Sequence, residues 1–87
     1  MKWTEYRGLL DDEAGRRSFV LRISEPQPSD KGDYYCQIDM PAVSIIGSNV
    51  RIYGMDAGQA KQLAMDFLRK MLAGKRLYDT SGRAIIV

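Results

Sequence analysis

Few residue types in this 87-residue chain are suited to chemistry, and histidine is absent altogether. The commonest general acid/base and the commonest metal ligand near neutral pH are therefore missing. The single cysteine, Cys36, alternates with Tyr35 and Gln37 on one side of its segment and lies with Tyr34, Ile38 and Met40 on the other. That placement predicts a small buried hydrophobe rather than a nucleophile. Asp11, Asp12 and Glu13 form an acidic cluster, but calcium loops spread oxygen ligands over alternating positions of a longer loop, so a solvated hairpin connection is expected. Asp30 and Asp33 read as turn residues. No catalytic, cofactor-binding or metal-binding residue is assigned.

Gly47 and the pair Gly54 and Gly58 lie near a helix start, where free amides can bind an anion. Asp56 occupies the position such an anion would take, and the glycine spacing is neither that of a Walker loop nor that of a dinucleotide fold. A helix cap is the expectation there.

The pattern that most invites a functional reading is Arg22, Tyr35, Gln37, Arg51 and Tyr53. Strand alternation places all five on the sheet face turned away from a helix. Tyrosines interleaved with arginines can anchor a protein interface, or stack bases and neutralise phosphates. Arg69, Lys70, Lys75 and Arg76 form the densest positive cluster, which complementation of the helix dipole explains.

The elements that must position these residues follow from periodicity. Ala60, Leu63, Ala64, Phe67, Leu68, Met71 and Leu72 form the apolar stripe of an amphipathic helix from about Asp56 to Ala73. Asp56 caps it with Gln59 reaching back, and Gly74 ends it. A fully buried Phe67 would lose about 3–5 kcal/mol on truncation to alanine. Strands are expected around Phe19, Leu21 and Ile23, from Tyr34 to Met40, and around Val50 and Ile52 leading through Gly54 into the helix. Another is expected near Trp3 to Leu9. Asp11 to Gly15 should connect the first two strands, and Glu25 to Gly32 should be a surface loop. Pro41 to Ser48 is expected to be irregular with room for a short strand. Leu77 and Tyr78, then Asp79 to Gly82, then Ala84 to Val87 have the composition of a terminal hairpin.

The segment Arg51-Ile52-Tyr53-Gly54-Met55-Asp56-Ala57-Gly58-Gln59-Ala60, with Leu63-Ala64, resembles an uncharacterised family of small bacterial α+β domains. In that family a strand ends in Gly-x-Asp-x-x-Gln-Ala and opens an amphipathic helix, and an earlier strand is similar to Tyr34-Tyr35-Cys36-Gln37-Ile38. The resemblance spans about half the chain. It implies an architecture and no activity.

Composition sets the class. Hydrophobic residues make up 45% and charged residues 28%, as in ordinary globular domains. Thirteen Lys and Arg against 11 Asp and Glu give a net charge of +2, too small to announce nucleic acid. One cysteine and the charged segment Lys2 to Arg7 point to a reducing, cytoplasmic setting without a signal peptide. No apolar window approaches the roughly 18 residues of a membrane span. The expectation is one α+β domain over residues 1–87. Its mostly antiparallel sheet has four to six strands, ordered β-β-β-(β)-α-β-β, with one long helix on one face. Functionally, a non-catalytic protein-interaction or structural module leads, with a homo-oligomer or another protein as partner. Weak nucleic-acid binding through the Tyr/Arg face is second, and an enzyme third. No membrane role and no cofactor are expected.

Overall fold

The computed structural model describes residues 2–85. Among these residues, seven strands and one helix run in the order β1 (Trp3–Asp12), β2 (Gly15–Ser24), β3 (Gln27–Pro28), β4 (Tyr34–Met40), β5 (Gly47–Gly54), α1 (Ala57–Met71), β6 (Arg76–Asp79) and β7 (Ala84–Ile85). All pairings are antiparallel. The expected α+β class holds, but the strand count of four to six is too low. The additional strand is β3, where Gln27 and Pro28 pair with Tyr35 and Tyr34 inside the segment expected to be loop. Pro28 has no N–H to donate, which confines it to a short edge strand.

β1 and β2, of ten residues each, form a hairpin whose register runs from Trp3↔Ser24 to Asp12↔Gly15. The expected connection of Asp11 to Gly15 is thus only the two-residue turn Glu13-Ala14, which Gly15 permits by adopting φ 108°. β6 borders β1 over Gly8–Asp11, and β7 pairs with β6. Ile86 and Val87, the end of the expected terminal hairpin, lie outside the described residues. β4 pairs with β5 along its length, so β2 and β3 share its other edge.

α1 packs on β4 and β5. Its N-cap is Asp56, whose Oδ1 accepts from the Gln59 N–H at 2.8 Å. Gln59 Oε1 in turn accepts from the Met55 N–H at 2.6 Å, one residue before the cap. The helix is shorter than expected: Leu72 is its C-cap, and Gly74 at φ 81° turns the chain away. The buried line is Ala60, Ala64, Leu68 and Leu72, narrower than the apolar stripe in the sequence. Leu63 is 40% exposed and Phe67 only half-buried, so the full-burial premise for Phe67 fails. Small side chains decide this, because Ala60 lets the helix lie against Gly54, where an added Cβ would sit 2.4 Å from the Ala60 nitrogen.

The core joins Leu68 and Leu72 to Leu10, Phe19, Leu21, Cys36, Ile38, Met40 and Leu77. Residues 41–46 form turns that bury Val43 and Ile46, while Gly47 and Ser48 open β5. Arg17 fastens these turns to the sheet: its guanidinium donates to both oxygens of Asp12, at 2.9 and 3.1 Å, and to the Ala42 carbonyl at 3.0 Å. The Arg17 guanidinium holds the Asp12 carboxyl below its ordinary value of 3.8. A carboxylate whose pKa is lower in the folded than in the unfolded chain contributes stability above its ordinary value and loses it as pH falls through the folded value. The stability gap between wild type and Asp12→Asn should therefore be constant near neutrality and narrow below about pH 4. Urea melts across a pH series measure this; a gap independent of pH would contradict it.

No helix among the described residues is long and apolar enough to cross a membrane.

Candidate functional site

Alternation in β4 sends Cys36, Ile38 and Met40 under the helix and leaves Tyr35, Gln37 and Asp39 on the opposite face. The β4–β5 register sets Tyr35 across from Tyr53 and Gln37 across from Arg51. Four of the five residues singled out in the sequence therefore assemble on one patch. The Tyr35 and Tyr53 rings are 5.7 Å apart and tilted at 45°, and the Arg51 guanidinium lies 4.9 Å from the Tyr35 ring centre. Rings at that spacing attract by dispersion and quadrupole, and a guanidinium over a ring adds a cation–π contact. Gln37 donates to Asn49 Oδ1 at 2.7 Å, while the Asn49 N–H donates to Asp39 Oδ1 at 2.7 Å. Asn49 adopts φ 65° where the β4–β5 register shifts between Ile38 and Met40. This local irregularity turns its amide onto Asp39.

Arg22 shares the face, across from Asp39, but turns towards β1. Its guanidinium lies 4.5 Å from the Trp3 ring and 3.8 Å from Glu5. Glu5 also accepts from Arg7 at 2.7 Å, the main reason its carboxyl is held below the ordinary range. Trp3, Asn49 and Asp39 were not singled out in the sequence. Parity along each strand could have placed them on this face, whereas the inter-strand register that makes them neighbours has no local signal.

Beside the tyrosines, Pro28, Ser29, Asp30 and Lys31 complete a recess of about 270 Å³ with Tyr35, Arg51 and Tyr53. Asp33 accepts from the Ser29 hydroxyl, and the Ser29 N–H donates to the Asp33 carbonyl at 2.8 Å, which fixes the recess wall. No family model, curated protein or solved structure matches this chain. The reading of the patch thus rests on its own geometry.

Other expected features find local explanations. Cys36 is fully buried, and burial pushes its thiol pKa up. Asp11 and Asp12 pair with Arg16 and Arg17 across the hairpin. Arg69 pairs with Asp66 at 2.9 Å and Lys75 approaches Asp12 at 4.0 Å, so two of the four residues of the positive cluster at the helix end are held by separate acids. An open groove of about 820 Å³ lies over Gly8 and Phe19, between Ala42 and the turn Asp79 to Gly82. Asp79 Oδ1 in that turn is occupied by the Ser81 and Arg83 N–H groups and the Ser81 hydroxyl.

Proposed function

We propose that the protein is a non-catalytic interaction module that binds another protein surface through the face formed by Tyr35, Gln37, Arg51 and Tyr53, flanked by Arg22 on Trp3. One observation carries the reading: Arg51 is exposed, stacked on Tyr35, and makes no ion pair among the described residues. A stacked arginine beside two tyrosines offers apolar area and directed donors with little rotamer freedom left to lose, the character of interface anchors. Nucleic acid is disfavoured because Glu5, Asp30 and Asp39 stand on or beside the same face and would repel a phosphate chain. The similarity of the Arg51 to Ala64 segment to small bacterial α+β domains belongs to this proposal as architecture alone.

A photo-crosslinking side chain at Gln37 in living cells tests the reading, with Lys61 on the exposed side of the helix as the control. Discrete protein adducts at position 37 that Arg51→Ala with Tyr35→Ala removes, and none at position 61, are expected. Nuclease-sensitive adducts, or equal adducts at both positions, would overturn it.

A further inference from the structure

Among the described residues β5 has a neighbour on one side only, and its Val50–Gly54 stretch, beyond the irregularity at Asn49, presents a regular edge without a strand partner there. Such an edge is a template for another strand unless it is blunted by charge, proline or covering structure. Other unpaired lengths among the described residues are the two-residue strands β3 and β7, Gly15–Leu21 of β2, which carries Arg16 and Arg17 and is tied through Arg17 to the Ala42 carbonyl, and Trp3–Arg7 of β1, since β6 begins to pair at Gly8. Glu5 and Arg7 blunt that length with charges, and Glu5, its midpoint, would face itself in a symmetric pair. Val50–Gly54 carries one charge, Arg51, and is followed by Met55, 81% exposed.

We infer that the β5 edge pairs with the β5 edge of a second copy of this chain, antiparallel and centred on Ile52. This goes beyond the face reading, because it uses the main chain of the edge. In this register Ile52 lies across from Ile52 of the second copy, Val50 across from Gly54, and Arg51 across from Tyr53. Each arginine meets an aromatic ring, and no like charges face one another. Centring on Arg51 would oppose two guanidinium groups, centring on Tyr53 would use only three regular residues, and centring on Val50 would run the pairing through the Asn49 irregularity. Pairing of equivalent residues around a two-fold axis closes the assembly at two copies. Even spacing keeps side-chain parity, so the helices lie on one side of a continuous sheet and the two tyrosine patches become adjacent on the other.

Light scattering across a concentration series should give a mass rising towards two chains. Tyr53→Lys sets lysine against Arg51 twice per dimer and should weaken association roughly tenfold. Adding Arg51→Glu to Tyr53→Lys turns both contacts into opposite-charge pairs and should restore the dimer. As a readout independent of these changes, Ile52→Cys in a Cys36→Ser background should form an intermolecular disulfide under mild oxidation. Opposed antiparallel residues have Cα atoms about 4.5–5.5 Å apart, within disulfide reach. A wild type monomeric at every concentration, a dimer indifferent to Tyr53→Lys, failure of the double variant to restore association, or no cross-link at position 52 would each overturn the inference. A monomeric wild type would leave the crosslinking test of the sheet face standing.

Discussion

Leu68→Ala should lower the stability of this domain by about 2–5 kcal/mol, the range for emptying a fully buried leucine site. A chain of this length has a total of roughly 4–13 kcal/mol to lose, so the variant should give up a large share of its stability. Leu68 has no exposed surface and lies on the line Ala60, Ala64, Leu68, Leu72 that meets the sheet. The alanines on that line bring the backbones close and have little side chain to give up, so Leu68 supplies much of the apolar contact between layers. A cavity there is bounded by strands whose ladder hydrogen bonds resist collapse, which places the effect towards the upper part of the range. Phe67→Ala, one residue earlier, should cost less than Leu68→Ala although it removes more atoms, because Phe67 is half-buried. Urea denaturation of the two variants tests the order; Phe67→Ala as the more damaging change would place Phe67, and not Leu68, at the contact between helix and sheet.

Gly8→Ala should be at least as damaging, by about 3 kcal/mol or more, for a different reason. An added Cβ at Gly8 would lie 1.7 Å from the Tyr78 carbonyl oxygen and 2.8 Å from its carbon. Those atoms belong to the backbone of β6, so no side-chain rotation relieves the overlap. The whole strand must move. Overpacking by a methyl group typically costs about 1–3 kcal/mol where neighbours can adjust, and here relief requires parting β6 from β1, which uncovers Leu10 and Leu77. Gly58→Ala is the control: its Cβ meets only Asp56 Oδ1 at 3.4 Å, and alanine gains up to about 1 kcal/mol over glycine within a helix. Thermal melts should therefore move in opposite directions for the two substitutions. Amide exchange in Gly8→Ala should quicken first at Leu77, Tyr78 and Asp79; unchanged protection there would show that β6 does not rest on Gly8.

The same division between backbone and side chain runs through the functional reading. The Tyr35–Arg51–Tyr53 patch is a side-chain surface, held by the β4–β5 register and flanked by the recess at Lys31. The β5 edge beside it is a main-chain surface. A second copy on the edge would place two patches next to each other and give a bound protein two equivalent contacts, which raises avidity without new chemistry. Asn49 separates the regular edge from the irregular start of β5 and so limits how many residues such a pairing can use.

Much of the fold was legible in the sequence because its signals are local. Asp56 and Gln59 marked the start of the helix through hydrogen bonds that span only a few residues, and Gly74 marked its end through its own left-handed backbone. Alternation fixed Cys36, Ile38 and Met40 as core and Tyr35 and Gln37 as their opposite, and the same parity put Arg51 and Tyr53 on the outer face. Tertiary packing decided what periodicity could not. The stripe from Ala60 to Leu72 is wide enough for several rotations of the helix, and the close approach of Ala60 to Gly54 selected the one that leaves Leu63 exposed and Phe67 half-buried. The pairing of Gln27 and Pro28 with β4 depends on neighbours eight and six residues away and made a strand of an expected loop. Arg22 was placed on the correct face, yet only the β1–β2 register brought it to Trp3 and Glu5 instead of to the tyrosines. A local sequence specifies which way a side chain points, because that depends on the residue's own backbone; which side chains then meet is set by strand register and helix rotation, which are properties of pairs of distant segments.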